Sequence, residues 1–167
     1  MQGMHRAGVL SSGKHFPGHG DTATDSHHSL PIIDFTRERL DSVELRPFRE
    51  LIEAGVSSVM VGHLDIPVLE TREGYPSSLS DRIITDLLKK ELGFKGLVFT
   101  DALNMKAVAE FAPEGEVELS AFLAGNDMLL MPKDVVQAKK KIIEAYHAGR
   151  ISASRLEMSV KKILQAK

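Results

Sequence analysis

Four short apolar runs recur along this chain: Val9-Leu-Ser-Ser-Gly13, Ser57-Ser-Val-Met-Val61, Leu97-Val-Phe-Thr100 and Asp127-Met-Leu-Leu-Met131. Segments of helical period lie between them. Strands with one wet face alternate polar and apolar residues, whereas runs that are apolar nearly throughout suit strands covered on both faces. Strand, helix, strand, helix in this order predicts parallel strands covered by helices, an α/β fold. No sequence repeat, low-complexity tract or linker divides the chain, so residues 1–167 are expected to form a single domain.

The intervening segments carry helix punctuation. Leu45, Phe48, Leu51 and Ile52 share one helical face, which stops at Gly55. Ser80 is a suitable N-cap with Asp81 in the first turn. Ile83, Ile84, Leu87 and Leu88 then form an apolar stripe, and Lys89 and Lys90 stand where the helix dipole favours cations. A third helix is expected within Glu116 to Ala124. A fourth, with Val135, Val136, Ile142, Ile143 and Tyr146 inward, ends at Gly149. A fifth is opened by the capping box Ser154-Arg-Leu-Glu157 and carries Leu156, Val160, Ile163 and Leu164.

Composition narrows the function. Lys and Arg total 21 against 23 Asp and Glu, a formal charge of -2 with no block of like charge. A nucleic-acid partner or an anionic membrane surface is therefore not expected. No apolar run approaches the ~18 residues of a membrane span. The absence of cysteine excludes a disulfide framework and thiolate catalysis, and is equally compatible with a cytoplasmic and an exported protein.

The chemistry is concentrated in Lys14-His-Phe-Pro-Gly-His-Gly-Asp-Thr-Ala-Thr-Asp-Ser-His-His-Ser-Leu-Pro31, which holds four of the seven histidines in a Gly- and Pro-punctuated loop. A turn needs only Gly, Pro, Asn or Ser, so ionisable groups gathered there point to function. Lys14 and His15 end the first predicted strand, His63 ends the second and Asp101 the third. Carboxyl ends of parallel strands share one face, where such folds build their sites. Asp101 emerges from Leu97-Val-Phe-Thr100 and can serve as nucleophile, base or metal ligand, or cap its own turn as an Asx residue. In Asp25-Ser-His27 a carboxylate two residues from an imidazole can fix its tautomer and raise its basicity; the plainer reading is a solvated loop histidine. Lys14 and His15 can hydrogen-bond a polyhydroxylated ligand, and Lys14 can instead pair with Asp101 or the loop aspartates. His63 reads as a hydrogen-bonded core or rim histidine. A metal held by His15, His19, Asp21, Asp25, His27 and His28 is the lesser hypothesis, because Phe16-Pro-Gly18 prevents the helix that would bring His15 and His19 to one face. No metal or cofactor is assigned.

Together, Lys14-His-Phe-Pro-Gly-His-Gly20, Asp25-Ser-His27, Leu30-Pro31 and Gly93-Phe-Lys-Gly-Leu-Val-Phe-Thr-Asp101-Ala-Leu-Asn-Met105 resemble glycoside hydrolase family 3, in its β-N-acetylglucosaminidase branch. Val59-Met-Val-Gly-His63, Leu123 to Met131 and Ile151-Ser-Ala-Ser-Arg-Leu156 extend the resemblance to essentially the whole chain. It implies retaining hydrolysis of terminal β-linked N-acetylglucosamine, with Asp101 as nucleophile, His27 as acid/base oriented by Asp25, Lys14 and His15 on the sugar hydroxyls, and peptidoglycan fragments as usual substrates. A β-glucosidase, β-xylosidase or phosphorylase of the same family is the alternative, or an inactive carbohydrate-binding fragment. The family's catalytic domain is a (β/α)8 barrel of ~250 residues. Four strand-helix units match its second half, strands 5 to 8, so an absent N-terminal half is expected, or self-association through open sheet edges.

Overall fold

The computed structural model describes residues 1–19 and 30–166. Asp25 and His27 lie outside the described residues. A short helix α1 (Gln2–Arg6) precedes β1 (Ser12–Phe16). Helix α2 (Arg46–Glu53), entered through a π-helical turn at Leu40–Glu44, leads to β2 (Ser58–Val61). The π-helical α3 (Arg82–Glu91) leads to β3 (Leu97–Thr100), and α4 (Glu116–Ala124), α5 (Val135–His147) and α6 (Ala153–Gln165) follow. The strands form one parallel sheet in the order β1-β2-β3. The expected α/β architecture is present.

Side chains alternate across this sheet. Val59, Val61, Val98 and Phe16 pack with Leu45 and Phe48 of the α2 region and with Ile83, Ile84, Leu87 and Leu88 of α3 to form the main core. Phe16 meets Phe48 edge to face, ring centroids 5.1 Å apart. At about 25 cal/mol per Å2 of apolar surface removed from water, each such aliphatic or aromatic residue contributes about 1.5–3 kcal/mol.

Four expectations are corrected in detail. The first strand begins at Ser12 rather than Val9, because Ser12 and Gly13 register with Ser58 and Val59; Val9 and Leu10 are left 50% and 52% exposed. The fourth run joins β3 through the single bridge between Phe99 and Met128. Side chains supplement the backbone there: Met128 N–H donates to Val98 O and Thr100 N–H to Met128 O, while Val98 N–H donates to Asp127 Oδ2, Leu130 N–H donates to the Thr100 hydroxyl, and Met131 turns away at φ 46°. The last helix is capped by Ser152, whose hydroxyl accepts from Arg155 N–H at 3.1 Å, so Ser154 falls inside the first turn. On α5 the buried residues are Ala138 and Ala145, the latter packed with Leu119, Phe122 and Ile151, which leaves Val135 and Val136 in solvent. Ser80 does cap α3, accepting from Ile83 N–H at 3.3 Å.

Candidate active site

Asp101 directly follows β3. Its N–H donates to Val61 O at 2.8 Å, carrying the parallel ladder one residue beyond the strand. Its Oδ1 accepts from Ala102 N–H at 2.8 Å, the Asx-type contact anticipated as the plainer reading of this residue. Oδ2 instead faces His15 of β1, whose Nε2 is 3.5 Å away. The two oxygens thus have different surroundings. One fixes the carboxylate's orientation, and the other is presented to the mouth of the sheet.

His15 reaches that position because Gly62 follows β2 between the two strands. A Cβ on Gly62 would lie 3.2 Å from His15 Cβ, so a larger residue would press the imidazole away from Asp101. His15 and Asp101 side chains are 29% and 18% exposed, accessible to a ligand but partly shielded from bulk water. His19 meets the His15 ring edge on, centroids 6.0 Å apart. Lys14 and His15 also line a cavity of about 380 Å3, closed by Glu44, Pro47, Phe48 and Leu51, which Asp101 does not line. Among the described residues, His15 rather than Lys14 lies against Asp101, with Nε2 3.5 Å from Oδ2.

Beneath these groups lies a support that sequence reading saw only as a core or rim histidine. His63 is fully buried. Its Nε2 is 3.0 Å from Ala102 O and its Nδ1 is 2.7 Å from Ser78 Oγ. A carbonyl only accepts, so Nε2 carries the proton and the Ser78 hydroxyl donates to Nδ1. Burial pushes the imidazole pKa down, against the raising effect of the Ala102 bond and of nearby Asp101, and favours this neutral form. Ser77 completes the support: its hydroxyl donates to Gly62 O at 2.7 Å and accepts from Leu64 N–H at 3.0 Å. A Pro76-Ser-Ser-Leu-Ser80 segment signals only a turn in sequence. Nothing in its spacing announces that it clamps the end of β2.

Of the expected site residues, the structure brings Lys14, His15 and Asp101 to the carboxyl end of the sheet. Asp25 and His27, together with Asp21 and His28 of the alternative metal set, fall outside the described residues. Of the remaining histidines, His147 is exposed, whereas His5 Nε2 lies 2.7 Å from Ser11 Oγ and 3.1 Å from Ser57 Oγ and ties α1 to the start of the sheet.

A carboxylate facing an imidazole at the C-terminal mouth of parallel strands places the chain among α/β proteins that build their sites at strand ends. Comparison with known proteins makes this specific. The glycosyl hydrolase family 3 N-terminal domain matches residues 1–166, and the chain belongs to that family. A β-hexosaminidase A from Pseudoalteromonas piscicida is 33% identical, covering 100% of this chain and 31% of its own length. A β-hexosaminidase from Chromobacterium violaceum is 38% identical over 78% of this chain and 36% of its own length. Among solved structures, a family 3 β-N-acetylglucosaminidase from Paenibacillus sp. FPU-7 superposes with a TM-score of 0.94 at 43% identity, over 99% of this chain and 32% of that one. A β-glucoside phosphorylase superposes at 0.91 with 28% identity, over 99% of this chain and 31% of that one. The chain thus spans about a third of the length of these relatives.

Proposed function

We propose that this chain carries the C-terminal half of the catalytic barrel of a retaining β-N-acetylglucosaminidase, acting on terminal β-linked N-acetylglucosamine, with peptidoglycan fragments as the substrate class. The observation that carries this reading is Asp101, one oxygen pinned by Ala102 N–H and the other turned to His15 at the mouth of the sheet. The β-hexosaminidases among the relatives support the choice of sugar.

Retaining hydrolysis requires a nucleophile on the anomeric carbon and a second group that first protonates the leaving oxygen and then deprotonates water. Asp101 Oδ2 forms the ester with the anomeric carbon as the aglycone departs. His27, oriented by Asp25, gives its proton to the leaving oxygen and takes one from the water that cleaves the ester. The imidazolium that gives the proton and the neutral imidazole it leaves behind are never negative, so this role avoids placing a second anion beside the nucleophile. Lys14 and His15 hold sugar hydroxyls, and His15 keeps the nucleophile turned toward the ring.

The experiment is release of the chromophore from an aryl β-N-acetylglucosaminide, by this chain alone and by this chain joined to a matching N-terminal half. Loss of that release in Asp101→Asn, with the fold retained, supports the reading. Undiminished release in Asp101→Asn removes Asp101 from the chemistry. A second reading, glycoside phosphorolysis, is favoured by the match to the β-glucoside phosphorylase. Phosphate-dependent release of a sugar 1-phosphate would select it. Binding of the sugar with no turnover in either form would leave a carbohydrate-binding fragment.

A further inference from the structure

The formal charge of -2 hides a division along the chain. Residues 133–167 hold nine of the 21 Lys and Arg but three of the 23 Asp and Glu, which leaves them at +6 and residues 1–132 at -8. A sum near zero therefore says little about what the basic part attracts. Asymmetry of this kind turns one side of a molecule toward anionic partners.

Helix α5 carries much of that charge on a rigid mount. Asp134 caps it by accepting from Val136 and Gln137 N–H. Its inner face buries Ala138 and Ala145, the latter against Leu119 and Phe122 of α4, and Lys141 pairs with Glu116 at 2.8 Å. At 3.6 residues per turn, Val136 and Ile143 lie on one line about two turns long, opposite those alanines. Such a crest carries polar side chains when a helix faces water. Here it is aliphatic. Val136 and Val135, at 74% and 65%, are the two most exposed large apolar residues among the described residues, and Ile143 and Tyr146 are 43% and 39% exposed. Lys139 and Lys140 flank the crest on its two sides, Lys133 precedes the helix and Arg150 follows it, all exposed. Glu144 is the helix's single acid.

We propose that this face of α5 rests on an anionic lipid bilayer. Val135, Val136, Ile143 and Tyr146 enter the boundary between headgroups and acyl chains, and Lys133, Lys139, Lys140 and Arg150 meet the lipid phosphates. The mixture of residues selects the partner. A second copy of the chain would bring +6 against +6. A dissolved polyanion such as a nucleic acid satisfies the lysines but gives the valines and isoleucine nothing to enter, and a neutral bilayer gives the lysines nothing to pair with. An aliphatic crest between ammonium groups, with a tyrosine at its edge, suits a surface that is anionic above and apolar below. The acidic remainder of the chain is repelled by the same surface, which gives the attachment one orientation. A single short helix holds it reversibly.

The test is sedimentation of this chain with vesicles of phosphatidylcholine alone and of phosphatidylcholine mixed with phosphatidylglycerol. The expected result is binding to the mixed vesicles only, weakening as salt rises from about 0.05 M to about 0.5 M. Each Lys near an anionic surface is worth about fivefold in affinity, so Lys139→Glu/Lys140→Glu is expected to lose about 25-fold or more. Val136→Ser/Ile143→Ser keeps every charge and is expected to lose on the order of 10-fold. Its circular dichroism should match the parent's, because both positions are exposed. The chain has no tryptophan, so Val136→Trp supplies a reporter whose emission should move to shorter wavelength on mixed vesicles and be quenched by brominated acyl chains. Equal binding to both kinds of vesicle, no binding to the mixed ones at low salt, or an unshifted Val136→Trp emission would each overturn the proposal. Undiminished binding by Val136→Ser/Ile143→Ser would overturn it as well, and equal affinity for dissolved polyphosphate would then name a polyanion as the partner.

Discussion

His63 and Asp101 grip the same residue from opposite sides. Asp101 Oδ1 accepts the N–H of Ala102, and His63 Nε2 donates to its carbonyl. The carboxylate is therefore aimed by a buried imidazole that it does not touch. His63→Ala removes two buried hydrogen bonds and leaves a void beneath the turn. A loss of about 2–4 kcal/mol is expected in urea unfolding. In any form that turns over substrate, kcat is expected to fall more than KM rises, because aim rather than binding is lost. Equal stability in the variant would show that the turn does not depend on His63.

The same imidazole gives stability a pH dependence. Burial depresses its folded-state pKa below the unfolded value, so the unfolded chain takes up the proton first as pH falls. The contribution of neutral, buried His63 is thus present above the ordinary histidine pKa of about 6.5 and declines as pH drops from there toward the lower folded value. Unfolding free energies between pH 7 and 5 are expected to fall in the parent and to fall less steeply in His63→Gln. Parallel curves would contradict the assignment.

Gly18 is the second place where backbone geometry meets chemistry. Its φ is 137°, and a Cβ there would lie 2.7 Å from Glu44 Cβ and 3.3 Å from Glu44 Cα. The chain leaving β1 is seated directly on the α2 region, between His15 and His19. Gly18→Ala is expected to cost about 1–3 kcal/mol of stability through overpacking. It should lower turnover on the order of 10- to 100-fold by shifting the histidines on either side. Steady-state kinetics beside a melting curve checks both. An active, equally stable variant would mean the neighbouring backbone absorbs the methyl.

Away from Asp101, Asp127 is a buried carboxylate held in a network of cations and hydrogen bonds. Its carboxylate accepts from Val98 N–H and from the hydroxyl of Ser159, and it pairs with Lys162 at 3.1 Å and Arg155 at 3.4 Å. Burial works against its charge, but Lys89, Ser159 and Lys162 outweigh that and hold its pKa below the ordinary value. Asp127→Ala leaves three partly buried cations without their partner and is expected to cost about 3 kcal/mol. A loss below about 1 kcal/mol, the size expected of an exposed pair, would show that water replaces the carboxylate.

Periodicity made much of this fold legible. Ile83, Ile84, Leu87 and Leu88 are all buried on α3 as their spacing implied, and the apolar runs at 57–61 and 97–100 became β2 and β3 with little change. Asp101 and His15 were legible because a polar residue at the end of an apolar run has few other places to go. What escaped sequence reading rests on partners distant in the chain. Ser77 and Ser78 look like turn formers until they close on Gly62 and His63, and Gly62 matters only because His15 lies over it. Asp127 hid at the head of an apolar run and acts on Val98, 29 residues away. Val135 and Val136 misled because α5 buries its alanines.

The most direct test of the proposed chemistry is mass-spectrometric mapping after incubation with a mechanism-based fluorosugar of N-acetylglucosamine, which stalls the reaction at the ester. The expected result is one glycosyl adduct on the peptide containing Asp101, absent from Asp101→Asn. A stoichiometric adduct on any other residue, with Asp101 unmodified, would contradict the assignment of the nucleophile.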